Sequence, residues 1–187
     1  MSRIEPITER GQVPEAHRPV YDAIASSRGR VAGPFAVLLH SPELADRIAH
    51  LGALIRYEAG VPDRVRELAT CAVGRELDAL YVWSSHVDLA RKAGVPEATL
   101  VALREGRAPT GLPPEDAQVV VYVQALLRAH RVSDAAFRAL EQRFGAKSLL
   151  ELTATVGYYS MMAAVLNGFE MGPEAGADLL PVPAPVG

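Results

Sequence analysis

Proline and glycine punctuate this chain at intervals that suit helices. Ser41-Pro42-Glu43 places an N-cap residue, a proline at the first helical position and an acid in the first turn. Pro62-Asp63 and Pro96-Glu97 repeat the proline-then-acid start, and Gly60 and Gly106 follow the ends of the segments begun at Pro42 and Pro96. Between these marks the apolar residues recur at spacings of three and four, as in Leu44, Ile48, Leu51 and Ile55, then Val65, Leu68, Ala69, Ala72 and Val73. No segment alternates with a period of two, so the expected fold class is all-α, a bundle of about eight helices with short connections.

The remaining elements follow the same logic. Residues 1–13 read as an N-terminal arm, and 14–27 as a short helix with Val20, Tyr21 and Ile24 on one side. Gly29 and Gly33 supply a loop, and 34–39 a helical turn. A break near Asp78 leads into a helix over 80–93, with Gly94 just past its end. Residues 107–114, with three prolines and a glycine, form the main internal loop. Helices are then expected over 115–129, 133–144 (closed by Gly145) and 148–167, in one domain spanning 14–171. The Pro/Gly-rich stretch 172–187 reads as a tail, either an arm or disordered.

Composition narrows the function classes. A net charge of −3 gives no electrostatic reason to expect nucleic acid or an anionic membrane, and no basic recognition helix is evident. One cysteine, Cys71, makes neither an intrachain disulfide nor a cysteine-based zinc cluster, and it fits a reducing compartment. The polar start of the chain lacks the apolar core of a secretory signal, and the run 149–169, broken by Glu151, reads as a core helix. A cytoplasmic protein is the expectation. No two histidines have HxxxH or HExxH spacing, and GxGxxG, GxxxxGK[ST] and GxSxG are all missing, so neither a metal nor a nucleotide cofactor is expected.

The residues suited to chemistry concentrate in 66–96. His86 shares a helix face with Ala79, Val82 and Ala90, and imidazole is the side chain best matched to proton transfer near neutrality. Spacing alone leaves a structural histidine, or an exposed one beside Ser84, Ser85 and Asp88, equally open. Glu67 lies within the apolar stripe of its own helix, yet Arg64, Arg66 and Arg75 offer the alternative of an ordinary surface acid. Cys71, one turn beyond Glu67, reads as a small buried hydrophobe, since a neighbouring carboxylate disfavours the thiolate. Tyr81 and Trp83 bring aromatic bulk, Tyr158, Tyr159 and Asn167 bring polar tips on the last helix, and His40 precedes a helix start.

The segment RELATCAVGRELDALYVWSSHVDLARKAGV resembles the carboxymuconolactone decarboxylase family, within the wider alkylhydroperoxidase D-like superfamily. PEAHRPVYDAI, GPFAVLLHSPELADR and ELTATVGYYSMMAAVLNGFE resemble family segments too, leaving only the two terminal arms outside. The resemblance implies an alkylhydroperoxidase D-like bundle assembled as a trimer or hexamer. It also implies a catalytic Glu67–His86 pair; the expectation built on it is that Tyr81 and Trp83 shape the pocket while Tyr159 and His40 bind the polar end of a small-molecule substrate. The peroxidase branch carries cysteines seven and four residues before the histidine, where this chain has Ala79 and Val82, so dithiol chemistry of that kind is not expected. The decarboxylase-like branch often reads Tyr-Glu-Trp where this chain reads Tyr81-Val82-Trp83, which removes one carboxylate a turn from His86. The resemblance thus implies a lyase-like, cofactor-free acid–base enzyme, with a non-catalytic oligomeric binding protein as the alternative.

Overall fold

The computed structural model describes residues 2–181, and every regular element among them is helical. Eight α-helices follow in order: α1 (Arg18–Arg28), α2 (Pro34–Leu38), α3 (Pro42–Ala53), α4 (Asp63–Glu76), α5 (Leu80–Lys92), α6 (Glu97–Arg104), α7 (Pro114–Gln124) and α8 (Asp134–Gly168). The chain divides into two compact units, one formed by residues 2–59 with 164–172 and the other by 60–163 with 173–181.

The punctuation works as its chemistry requires. Pro62, Pro96 and Pro113 sit at the N-caps of α4, α6 and α7 in extended conformation, each followed by acids in the first turn. Gly94 takes a left-handed φ of 88° just past α5, and Gly145, at φ 76° and ψ 163°, breaks α8. Ser41 does stand at the N-cap of α3, but its hydroxyl makes no capping hydrogen bond. The α3 helix also stops short of Gly60: at Leu54–Glu58 the chain is wound as a π-helical turn, and another, Ala125–Ala129, follows α7.

In the first unit α1 packs on α3, and Arg28 both donates to the Ala49 carbonyl at 3.1 Å and lies over the Phe35 ring. The N-terminal arm is pinned by Ile7 N–H donating to the Ala36 carbonyl and by the burial of Val13. The stripe on α3 is only half covered. Ile48 and Ile55 are buried, but Leu44 and Leu51, along the other edge of the stripe, are exposed, as are Leu54 and Tyr57.

The second unit is built around α4, which packs against α5, α6 and α7. Every residue from Val65 to Gly74 is buried, so the expected division of α4 into an apolar and a polar side does not occur. The small residues Ala69, Ala72 and Gly74 let neighbours approach from several directions. At Gly74 the approach is closest, since a Cβ there would lie 3.1 Å from the Trp83 backbone nitrogen and 3.3 Å from its Cα. Gly74→Ala is therefore expected to push α4 and α5 apart and to cost about 1–3 kcal/mol. Thermal unfolding followed by circular dichroism checks this, and an unchanged melting temperature would refute it.

The α8 helix is long and apolar enough to cross a membrane by composition, but half of that apolar window is buried in the protein. Leu149, Leu152, Val156, Met162 and Leu166 supply its core face, and Tyr122 on α7 shares a 2.7 Å hydrogen bond with Thr153. Of the expected tail, residues 182–187 lie outside the described residues. Before them Leu180 is buried and Asp178 pairs with Arg91 on α5 and Arg104 on α6, so this stretch is an arm laid on its own unit.

Candidate functional site

Two neighbouring helices bring the acid and the base together. The loop between α4 and α5 is three residues long, with Asp78 at a left-handed φ of 47° and its carboxylate on Arg75, so the helices turn back on one another. Glu67 on α4 and His86 on α5 then meet in the interior, 4% and 7% exposed, with His86 Nδ1 2.7 Å from Glu67 Oε2. Of the alternatives left open by spacing, a surface Glu67 and an exposed His86 do not occur, while a structural histidine is compatible with this burial.

The charge on Glu67 sets the direction of this hydrogen bond. Burial pushes the Glu67 carboxyl up, but the hydrogen bond and charge of His86, with the charge of Arg66, outweigh it and hold Glu67 below its ordinary value near 4.5. An ionised carboxylate only accepts, so Nδ1 carries the hydrogen and donates. Nε2 lies on the opposite edge of the ring, turned away from Glu67. The ring is also held from α8, where Tyr159 meets it edge-on at 4.7 Å and Tyr158 meets Tyr159 in the same manner at 5.2 Å.

The other expected site residues divide. Tyr159 touches His86 directly. Trp83 is wholly buried, its indole N–H without a partner among the described residues, and its backbone forms the contact surface for Gly74. Tyr81 is half-buried on α5, five residues before His86 and so off its face. His40 belongs to the first unit, where it is exposed and its Nε2 donates to the Glu5 carbonyl at 2.9 Å. Asn167 is exposed, also in the first unit. Ala79 and Val82, at the start of α5, are both buried. Among the described residues no three His, Cys, Asp or Glu side chains converge as a metal site.

One participant does not stand out in the sequence. Arg66, which reads there as one of several surface arginines, is 8% exposed, and its Nη2 donates to the other oxygen of Glu67, Oε1, at 3.3 Å. The only hint in the sequence is its place beside Glu67 and three residues after Asp63, to which Nη1 donates at 2.8 Å.

Cys71 is fully buried, and burial together with the Glu67 charge pushes its thiol well above the ordinary thiol range. It is expected to resist Ellman's reagent in the native protein and to react at once in denaturant. Fast labelling of the folded chain would contradict its placement.

Residues 42–125 match the model of the carboxymuconolactone decarboxylase family, and this span contains both Glu67 and His86. Over this span the chain is similar to that family. No curated protein matches its sequence. Among solved structures, the chain is similar to an uncharacterised peroxidase-related protein from Ralstonia eutropha JMP134 with an alkylhydroperoxidase AhpD core. The TM-score is 0.76 at 19% identity, over 93% of each chain. It is also similar to a variant of the debrominase Bmp8 in complex with 2,3,4-tribromopyrrole, with a TM-score of 0.72 at 16% identity over 94% of this chain and 95% of that one. A third neighbour is a protein of unknown function from Agrobacterium tumefaciens, with a TM-score of 0.65 at 17% identity over 74% of this chain and 95% of that one. At these identities the likeness is one of fold, the AhpD-like helical bundle.

Proposed function

We propose that this chain is a cofactor-free acid–base enzyme of the lyase type, acting by decarboxylation or a related proton transfer on a small carboxylate or lactone. The observation that carries the reading is the buried His86–Glu67 hydrogen bond, which engages Nδ1 and leaves Nε2 as the basic nitrogen. That arrangement stabilises the imidazolium through Glu67 while Nε2 exchanges a proton with substrate.

For a carboxylated unsaturated lactone the steps balance without an external redox partner. The bond between ring carbon and carboxylate breaks, carbon dioxide leaves, and the electron pair passes into the conjugated carbonyl. Imidazolium Nε2–H then delivers its proton to carbon, and solvent returns one to Nε2. Tyr159, against the His86 ring, would limit where the substrate plane can lie. A dithiol cycle has no support in these residues, because Ala79 and Val82 stand where its cysteines would and Cys71 is inert by burial.

The reading includes the trimeric or hexameric assembly implied by the family, in the cytoplasm. The exposed residues Leu44, Leu51, Leu54 and Tyr57 support self-association. The alternative of an oligomeric binding protein gains from Val82, an apolar residue in place of a carboxylate. It must then explain a buried acid–base pair that an apolar pair of similar volume would replace at no cost in stability. The test is incubation with carboxymuconolactone and simpler lactone acids in deuterated water. Nuclear magnetic resonance reads loss of the carboxylate carbon and deuterium gain at the neighbouring carbon. Turnover that survives in the His86→Ala protein would overturn the assignment.

A further inference from the structure

Glu67 is gripped at both ends. Oε2 faces His86 and Oε1 faces Arg66, whose second nitrogen is tied to Asp63 at the first turn of the same helix. Arg66 itself stands on the stretch of α4 that is buried all round. Its Nε is buried with no hydrogen-bond partner among the described residues. An unmet buried donor of this kind is destabilising, and a methionine would fill the volume without that cost. Packing therefore does not account for an arginine at this position, whereas its charge and its forked geometry do.

We propose that Arg66 is a positioning residue for the acid–base pair. It keeps Glu67 in the carboxylate form and turned so that Oε2 faces Nδ1, and thereby holds His86 in the Nδ1–H tautomer with Nε2 available. The inference rests on the functional reading of the pair but concerns its resting state, so its test needs no substrate. The charged and titratable groups recorded around Glu67 are His86 from α5, Arg66, Asp63 and Cys71 from α4 itself, and Tyr159 from α8 against the far partner, His86.

Asp63 provides the decisive control. It is exposed and draws on the same guanidinium from the other side, so its removal leaves more of the Arg66 charge directed at Glu67. The two variants should move Glu67 in opposite directions. In Arg66→Met the carbon-13 titration of the Glu67 carboxyl is expected to shift upward by about one pH unit, a tenfold change in proton affinity. The imidazole nitrogen-15 spectrum of His86 should then show mixed tautomers near neutrality. In Asp63→Ala the same titration should shift downward and the single tautomer persist. Arg66→Lys, which keeps the charge and loses the fork, should restore most of the titration but not the single tautomer, and it serves if the methionine variant fails to fold.

A structural role alone would lower the melting temperature and leave both spectra unchanged, and that result overturns the proposal. Its failure is separate from failure of the acid–base reading. Unchanged spectra with an inactive His86→Ala protein would refute only the role of Arg66. Shifted spectra with an active His86→Ala protein would refute only the catalytic reading.

Discussion

His86→Ala is expected to lower turnover of the responsive lactone acid by about 10²–10⁴-fold, the usual range for loss of a positioned acid–base group. The helical spectrum should remain. The variant removes a buried ring but leaves Glu67 with Arg66, so the carboxylate keeps one partner. Glu67→Gln should cause a smaller but parallel loss, because the amide fits the same space yet cannot hold the negative charge that stabilises the imidazolium. It should also alter the acid limb of stability. The folded value for Glu67 lies below its ordinary 4.5, so its ionisation contributes stability that is fully present above about that pH and fades as pH falls through the lower folded value. Urea midpoints measured between neutrality and about pH 3 should therefore fall more steeply in the wild type than in Glu67→Gln. Parallel curves would mean the pair is not linked to folding as its geometry requires.

The largest expected effect on stability lies elsewhere, at Asp116. This carboxylate is 0% exposed at the start of α7, where it accepts from the Thr99 hydroxyl of α6 at 2.9 Å and lies 2.7 Å from Arg64 Nη2 of α4. The Arg64 contact falls outside hydrogen-bond alignment, which leaves Oδ1 served by charge alone. Three helices thus converge on one side chain. Asp116→Ala strands the buried Thr99 hydroxyl and the inward end of Arg64, at a cost of about 3 kcal/mol. For a chain of this length that is a fall in melting temperature of about 6–12 °C. Asp116→Asn keeps an acceptor for Thr99 and should recover part of the loss. If alanine melts with the wild type, the convergence carries no stability.

The elements whose ends are written in backbone chemistry were legible from sequence: the proline starts of α4 and α6, the left-handed Gly94 and the break at Gly145 all act locally. What depends on neighbours was not. The charged pattern Arg64, Arg66, Glu67 and Arg75 mimics a solvent face, and only the packing of α5, α6 and α7 around α4 closes it. Arg66 was missed for that reason, since a charged residue beside another charge defaults to the surface. The π-helical turns were illegible as well, because one extra residue per turn leaves no mark on apolar spacing. The Glu67–His86 pairing was suggested by resemblance, and its separation and its protonation needed coordinates.

The burial of α4 on every side has a consequence for how such a protein diversifies. Glu67 is built into a segment buried on every side, whose amides should be among the last to open in hydrogen exchange. A substitution that re-aims Glu67 must therefore be absorbed by the whole second unit, and drift there is curbed by folding before it can be tested on chemistry. The face of α5 one turn from His86, and the tyrosines of α8, each meet the site from a single side. On the proposed acid–base reading, new substrates would more readily be accommodated at Val82 and Tyr159 than by moving the Glu67–His86 pair.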